Sequence, residues 1–259
     1  MHPADWRLIN ADTLEAIPAE LARARGNEVA RLLAQSDWLI RRKSDGRFIA
    51  VRRGDTVREL WRGALESGLR DEVASLARSD AGGETLRPLA GLLERLHSLG
   101  LTDDYGERSG LPLVAEPNVL SYAGRDRYAR PLWLTAAAAR AWRHMRSAAL
   151  EDDIALQAIS GYRSHDYQLG IFRRKLARGL TVAEILAVNA APGYSEHHSG
   201  NALDIGTPGE LPAEESFERT PAFAWLAGHA GDFGFSMSYP RDNPHGIVYE
   251  PWHWLHAPL

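Results

Sequence analysis

Three short segments in the second half of the sequence carry most of the residues that could do chemistry. The segment 195–204 reads Ser-Glu-His-His-Ser-Gly-Asn-Ala-Leu-Asp, and it places His197 seven positions before Asp204 with a glycine between them. The segment 250–253 reads Glu-Pro-Trp-His, and the segment 160–164 reads Ser-Gly-Tyr-Arg-Ser directly after an apolar run. Imidazoles, carboxylates and a guanidinium are residue types that metal-assisted hydrolysis can use.

The histidines and the aspartate of these segments form a plausible ligand set for one metal ion. A catalytic zinc ion takes three nitrogen or oxygen ligands from the protein and keeps one position for water. His197, Asp204 and His253 supply two neutral imidazoles and one carboxylate, which leaves a net charge of +1 on the ion and favours ionisation of its water. Glu250 is close enough in sequence to His253 to reach the same site as a general base. Spacing alone leaves two other interpretations open: a His and an Asp seven positions apart are common by chance, and Glu-Pro-Trp-His is also compatible with an ordinary strand end.

The three segments together resemble the VanY-type D-alanyl-D-alanine carboxypeptidases, in the wider group of lysostaphin-like enzymes and hedgehog-like domains. The resemblance rests on Ser-x-His-x-x-Gly-x-Ala-x-Asp at 195–204, on Glu-Pro-Trp-His at 250–253, and on Ser-Gly-Tyr-Arg-Ser at 160–164. It covers about 120–256. One departure is Ser238, which stands where members of the family often carry Arg.

The resemblance implies a zinc centre with defined roles. It implies one Zn²⁺ per chain, bound by His197, Asp204 and His253, and it selects His197 rather than the adjacent His198. Two catalytic residues are implied as well: Glu250 as the base that takes a proton from water, and Arg163 near the scissile carbonyl, where its guanidinium would stabilise the oxyanion.

The resemblance also implies a substrate and a set of contacts to it. Ser195 and Gln168 are expected to hold the terminal D-alanine or its carboxylate, and Tyr162 and Ser160 are the other expected substrate-binding residues. The implied substrates are peptidoglycan stem peptides or muropeptides, from which a C-terminal D-alanine is removed with D,D- or L,D-specificity. Two alternatives stay open: a lysin-like peptidoglycan endopeptidase, and a non-catalytic zinc-stabilised domain that binds the cell wall.

Composition narrows the remaining classes of function. The 259 residues include no cysteine, which excludes thiolate zinc sites and disulfides, and the net charge of −4 offers no basic excess for binding nucleic acid. No apolar run is long enough to span a membrane, and the sequence indicates no particular protein partner. No signal peptide is visible, so we expect a cytoplasmic protein or export without a standard signal, although the implied substrate suggests the cell envelope.

The mix of helical and strand patterns in the sequence predicts an α+β fold in two domains, whose elements position these residues. Residues 106–259 are expected to form the catalytic domain, a small antiparallel sheet with flanking helices that carries the zinc site. Residues 1–105 are expected to be a mostly helical module of unknown role, with one β-hairpin at Asp45-Gly46, where a tight turn needs positive φ. Linkers are expected at 79–84 and 103–117. Helical patterns lie at 13–36, 56–78 and 85–99.

Local signals define the elements of the second domain. Side chains that can cap a helix predict helix starts at Thr135, Ser164, Thr181 and Thr220. Apolar runs predict strands at 154–159, 233–239 and 246–255, the last two as an antiparallel pair.

Overall fold

The computed structural model describes residues 6–24, 26–60, 66–78 and 85–257, and it places eleven strands in two antiparallel sheets. The larger sheet has the order β5-β4-β3-β2-β1-β6-β7. Its strands are β1 (Arg7–Asn10), β2 (Leu14–Pro18), β3 (Trp38–Arg42), β4 (Phe48–Arg53), β5 (Thr56–Glu59), β6 (Val119–Arg125) and β7 (Pro131–Leu134). The smaller sheet has the order β10-β11-β9-β8. Its strands are β8 (Gln157–Ser160), β9 (Ala202–Gly206), β10 (Phe235–Met237) and β11 (His253–His256).

The α-helices flank these sheets. They are α1 (Asn27–Ala34), α2 (Ser67–Arg78), α3 (Leu92–His97), α4 (Tyr105–Ser109), α5 (Ala136–Glu151), α6 (His165–Ala177), α7 (Val182–Ala187) and α8 (Pro221–His229). A 3-10 helix, Glu196–Ser199, precedes β9. Within the described part of the chain, no helix combines the length and the hydrophobicity needed to cross a bilayer.

The smaller sheet rests on a hydrophobic core built mainly by α5 and α8. Trp142 of α5, Leu226 of α8 and Leu203 of β9 are almost fully buried in one cluster. Burying a large apolar side chain contributes about 1.5–3 kcal/mol relative to leaving it exposed. This packing fixes the position of β9 and the strands beside it. Polar side chains on the opposite face of the smaller sheet are therefore held in defined positions.

The structure confirms the α+β class and most elements expected after residue 130. Thr135, Ser164, Thr181 and Thr220 each accept a hydrogen bond from a backbone N–H at the start of a helix, and Thr181 does so within a complete capping box. β10 and β11 form the expected antiparallel pair, although β11 begins only at His253 and residues 246–252 of the expected strand are irregular. In the first part of the chain, the hairpin of β3 and β4 is also present, and Gly46 in its turn has φ of 68°.

The mostly helical character expected for residues 1–105 is wrong, because residues 7–59 contain five strands. Residues 14–18, expected to be helical, form the central strand β2 and are buried along their whole length. A strand covered on both faces loses the alternation of polar and apolar residues by which sequence reveals it. The helical pattern at 56–78 also begins with a strand, β5, and becomes helical only in α2.

The boundary expected between residues 105 and 106 stays a prediction. β1 pairs with β6, so strands from both sides of that position share one sheet. The expected linker at 103–117 contains the short helix α4, and the one at 79–84 lies outside the described residues.

Candidate metal centre and its cavity

Two neighbouring strands of the smaller sheet bring the expected ligands together. β9 carries Asp204, β11 carries His253, and these two residues are direct partners in the register of the antiparallel pair. Facing residues of adjacent antiparallel strands have Cβ atoms only about 4.5–5.5 Å apart. The distance of 49 residues in sequence between them is therefore closed by sheet pairing alone.

The third expected ligand comes from the 3-10 helix that leads into β9. His197 lies in this helix, which ends at Gly200 with φ of 71°. A Cβ at Gly200 would overlap the side chain of Leu120, so both the backbone conformation and the space favour glycine there. This tight turn directs His197 back toward Asp204.

The ligand atoms of His197, Asp204 and His253 lie within 4.8 Å of one another, and all three side chains are buried. Asp204 Oδ2 is 3.2 Å from His197 Nε2, and Asp204 Oδ1 is 3.0 Å from His253 Nδ1. Atoms this close can share a single ion at ordinary zinc–ligand distances of about 2.0–2.2 Å.

The hydrogen bonds of His197 show that the centre suits a cation. Its Nδ1–H donates to the carbonyl oxygen of Gly161 over 2.8 Å, because a carbonyl can only accept. Burial lowers the pKa of His197 to about 4, and the nearby charge of Arg163 adds to this effect. The neutral Nε2 then presents its lone pair to the carboxylate of Asp204. Two acceptors at that distance favour a cation shared between them, and zinc fits the donor set.

His253 is held between two carboxylates. It lies 3.0 Å from Asp204 through Nδ1, and its Nε2–H donates to Glu196 Oε2 over 2.8 Å. Burial lowers the pKa of His253, but the hydrogen bonds to Asp204 and Glu196 outweigh that and raise it to about 10. The contact with Glu196 orients the ring so that Nδ1 faces the centre. A metal ion that binds Nδ1 must therefore displace a proton.

The two expected catalytic residues lie beside this centre. Glu250 Oε2 is 3.9 Å from His253 Nδ1, and Arg163 Nη2 is 3.5 Å from Asp204 Oδ2. Burial raises the pKa of Glu250 to about 7, although the attraction of His253 opposes the rise. A buried carboxyl group with a raised pKa is a common feature of hydrolytic sites.

Two neighbours hold Arg163 in place. Its Nη1–H donates to Gln168 Oε1 over 3.4 Å, and its backbone carbonyl accepts from His198 Nδ1–H over 2.6 Å. His198 also accepts the backbone N–H of Gly193 at Nε2, so both ring nitrogens are engaged away from the centre. His198 therefore supports the arginine, while the adjacent His197 faces the ligand set.

An open cavity of about 330 Å³ gives access to the centre. Its lining includes the three expected ligands together with Glu250, Arg163, Ser195 and Gln168. Tyr162 and Ser160 lie outside that lining. The hydroxyl of Tyr162 donates to Glu116 instead, and Ser160 pairs with Asp204 as a strand residue.

Sequence reasoning did not find three residues of the cavity and its surroundings. Glu196 binds His253 and was signalled only by its place next to His197 in the motif. The ring of Tyr239 lies 4.8 Å from that of His253. In the sequence, Tyr239 only ends the predicted strand 233–239, which indicates a structural element and not a place in the cavity. Lys175 also lines the cavity, and nothing in its sequence context distinguishes it from the other basic residues of α6.

Comparison with known proteins places this arrangement in a family. The family described as VanY, D-alanyl-D-alanine carboxypeptidase, matches residues 131–259. The bifunctional D-Ala-D-Ala dipeptidase and D-Ala-D-Ala carboxypeptidase VanXYC of Enterococcus gallinarum is 31% identical over 135 residues, which are 49% of this chain and 69% of that protein. The chain belongs to the VanY family. The resemblance carried by the three motifs is thus confirmed.

Other relatives match a smaller share of their own length. The D-alanyl-D-alanine carboxypeptidase of Enterococcus faecium is 38% identical over 97 residues, which are 36% of this chain and 27% of that enzyme. The Bacillus subtilis protein YodJ is 37% identical over 121 residues, and the matched part is 45% of this chain and 43% of that protein. The chain therefore spans less than half of the length of these two relatives.

Solved structures show further likeness. The LdcB LD-carboxypeptidase has 29% sequence identity and a TM-score of 0.48, with 51% of this chain and 64% of that chain covered. The VanY D,D-pentapeptidase from the VanB-type resistance cassette, in complex with Zn(II), has 27% identity and a TM-score of 0.42, with 53% and 77% covered.

Proposed function

We propose that this VanY-family chain is a zinc-dependent carboxypeptidase that removes C-terminal D-alanine from peptidoglycan stem peptides. The observation that carries the proposal is the convergence of His197, Asp204 and His253 on one buried point at an open cavity. Glu250 and Arg163 lie beside that point without belonging to the ligand set. A structural metal site requires neither of these two residues, whereas a hydrolytic one uses both.

His197, Asp204 and His253 would hold one zinc ion per chain. When bound, zinc supplies the Lewis acidity that polarises a peptide carbonyl and lowers the pKa of a water molecule from about 15.7 toward ~7. The chain itself fixes the ligands beforehand, since Gly161 orients His197 and Glu196 orients His253. Such supporting contacts keep each ring in the tautomer and orientation that ligation needs.

Glu250 would act as the general base. Its carboxylate takes a proton from the water that attacks the scissile carbonyl, and it returns that proton to the departing amine of D-alanine. Its burial keeps the carboxylate poorly hydrated, and it lies 3.9 Å from His253 of the proposed ligand set. One residue thus serves both proton transfers of the hydrolysis.

Arg163 would stabilise the oxyanion that forms on the scissile carbonyl. Gln168 contacts its guanidinium and His198 fixes its backbone carbonyl, so Arg163 needs little reorganisation during the reaction. Ser195 and Gln168 line the same cavity and would bind the terminal D-alanine.

The decisive assay offers the zinc-loaded protein two synthetic stem peptides. One ends in D-Ala-D-Ala and the other is the tetrapeptide that ends in a single D-alanine after an L-centre, and free D-alanine is measured. Release from either supports the proposal and gives the D,D- or L,D-specificity. Mass spectrometry of digested muropeptides tests the endopeptidase alternative, because a carboxypeptidase removes one residue only. Binding of cell-wall sacculi without any cleavage would indicate the non-catalytic alternative and contradict the proposal.

A further inference from the structure

Lys175 is one of only two lysines in the sequence, and it lies in the cavity of the metal centre. The other, Lys43, is buried and pairs with Glu116 over 2.5 Å. All remaining basic residues among the 30 are arginines. The two lysines therefore occupy very different surroundings, and only Lys175 faces a space that a ligand can enter.

The ammonium group of Lys175 has no carboxylate partner among the described residues. No carboxylate among the described residues lies within 4.0 Å of it. Its close charged neighbour is Arg163, a second cation that lines the same cavity. Partial burial lowers the pKa of Lys175, and the repulsion by Arg163 adds to this effect. A negatively charged group in the cavity would relieve both the lost hydration and the repulsion.

The position of Lys175 on α6 defines where such a group would lie. Gln168 and Lys175 are seven residues apart and so lie on one face of the helix, about 10 Å from each other along its axis. Arg163 precedes the helix and lies at the end of the cavity near Asp204. Polar groups therefore run from the metal centre along one wall of the cavity. Val188 and Val248 supply half-exposed apolar surface to the same cavity.

We propose that Lys175 binds a carboxylate of the peptide substrate and determines specificity for substrates that carry that charge. The inference rests on the proposed function for the identity of the peptide. The carboxylate can come from the C-terminus of the peptide or from its D-glutamyl residue. Both present the same chemistry, so the experiment distinguishes them by amidation of one or the other.

The small number of lysines permits a direct test of binding. Reductive methylation with ¹³C-formaldehyde labels accessible amines, and in the folded protein Lys43 is protected by its burial and its ion pair with Glu116. The remaining signals belong to Lys175 and to the N-terminal amine, which titrates at a lower pH. We expect the Lys175 signal of the zinc-loaded protein to shift when an L-Ala-D-Glu-L-Lys-D-Ala-D-Ala peptide is added.

Amidated peptides identify the source of the carboxylate. Two further peptides are compared, one amidated at the D-glutamyl carboxylate and one at the C-terminus. We expect one of them to leave the Lys175 signal unshifted and the other to shift it as the unmodified peptide does. The peptide that fails to shift the signal carries the amide at the group that Lys175 binds. No shift with the unmodified peptide, or equal shifts with all three peptides, would overturn the proposal.

Kinetics of substituted proteins give an independent readout. Lys175→Met removes the charge and keeps an apolar side chain, and we expect it to raise KM for the unmodified peptide by about tenfold to hundredfold, with kcat changed by less than about threefold. Lys175→Arg should restore most of the loss. Arg173→Met, at an exposed position of the same helix, is the matched control and should leave KM unchanged.

The outcomes separate this proposal from the proposed function. Release of D-alanine with an unchanged KM for Lys175→Met would overturn the role of Lys175 and support the carboxypeptidase. A charge-dependent shift of the Lys175 signal without release of D-alanine from any peptide would support the role of Lys175 and contradict the carboxypeptidase.

Discussion

At the scale of single residues, Glu196 contacts a proposed metal ligand without belonging to the proposed ligand set. Its carboxylate accepts the Nε2–H of His253, and it is itself largely buried. The opposite nitrogen of His253 is thereby directed at Asp204. Loss of such a supporting contact typically lowers metal affinity by about 10- to 100-fold.

Glu196→Gln is therefore expected to weaken zinc binding by about 10- to 100-fold, because an amide oxygen accepts a weaker hydrogen bond from His253 than a carboxylate does. The variant should still fold, since that hydrogen bond is weakened and not removed. Competition with a chromophoric chelator measures the affinity. Glu214→Gln removes an exposed carboxylate elsewhere and serves as the control. Equal affinity in the two variants would show that Glu196 does not support His253.

Arg163 gives a second prediction at this scale. Arg163→Met is expected to lower kcat for D-alanine release by about 10²- to 10³-fold, which is typical of the loss of one oxyanion donor, while zinc content stays the same. Steady-state kinetics with a D-Ala-D-Ala peptide and metal analysis measure the two quantities. Arg146→Met, on the exposed face of α5, should behave as the unsubstituted protein. A change in KM alone would assign Arg163 to ground-state binding instead.

The sequence predicted the residues of the centre better than their surroundings. His197, Asp204, His253, Glu250 and Arg163 all lie in short motifs, and the structure brings them together. Glu196 and Lys175 were missed, because their roles depend on contacts between elements that are distant in sequence. Tyr162 lies in a motif too, but the packing turns its hydroxyl toward Glu116.

At the scale of elements, Glu116 joins the β3–β4 hairpin to the start of α6. It pairs with Lys43, which follows β3, and it accepts the backbone N–H of His165 over 2.6 Å and the hydroxyl of Tyr162 over 2.8 Å. Burial raises the pKa of Glu116, but the charges of Lys43 and His165 outweigh it and bring the pKa to about 2.

This ion pair predicts a loss of stability in acid. The folded-state pKa of Glu116 lies below its ordinary value of 4.5, so its contribution is complete above pH 4.5 and is lost as the pH falls toward 2. The loss is of the order of 3 kcal/mol. Urea denaturation between pH 7 and pH 2 measures it. Glu116→Gln should be less stable at pH 7, and its difference from the unsubstituted protein should shrink in acid.

A control keeps this prediction specific to the buried pair. Asp71→Asn replaces an exposed carboxylate on α2, and its stability should run parallel to that of the unsubstituted protein over the whole range. If Glu116→Gln also ran parallel, the ionisation of Glu116 would not stabilise the fold. His165, whose pKa burial lowers, adds stability that is lost below about pH 6.5 and so acts in the same direction.

Elements were predictable where local signals are strong. The capping side chains located four helices, and Asp45-Gly46 located the hairpin. β2 was mistaken for a helix, since Leu14, Ala16 and Ile17 are buried on both faces of the sheet and leave no alternation in the sequence. Burial by distant strands is a property of the assembled sheet that local spacing does not record.

At the scale of the whole molecule, the larger sheet joins the strands of residues 7–59 to the part of the chain that carries the candidate metal centre. β1 hydrogen-bonds to β6, and Leu8 and Ile17 share one buried cluster with Leu120 and Trp133. Leu120 in turn packs against Gly200, which shapes the turn between His197 and Asp204. Strands β1 and β2 thus support, through Leu120, the turn that positions His197 relative to Asp204.

A chain that begins at residue 106 is accordingly expected to associate or unfold, because it would expose the edge of β6 and the buried faces of Leu120 and Trp133. Size-exclusion chromatography and circular dichroism compare it with the full chain. A monomeric, cooperatively folded fragment would contradict this expectation and support a separate domain from residue 106.

The most direct test of the account compares Glu250→Ala with His253→Ala in one measurement of bound zinc and of D-alanine release. The proposed function makes Glu250, which lies 3.9 Å from His253, the base and His253 a ligand. We predict that Glu250→Ala retains zinc close to that of the unsubstituted protein and loses nearly all turnover, whereas His253→Ala loses both. Equal loss of zinc in the two proteins, or turnover retained by Glu250→Ala, would contradict the assignment of the centre.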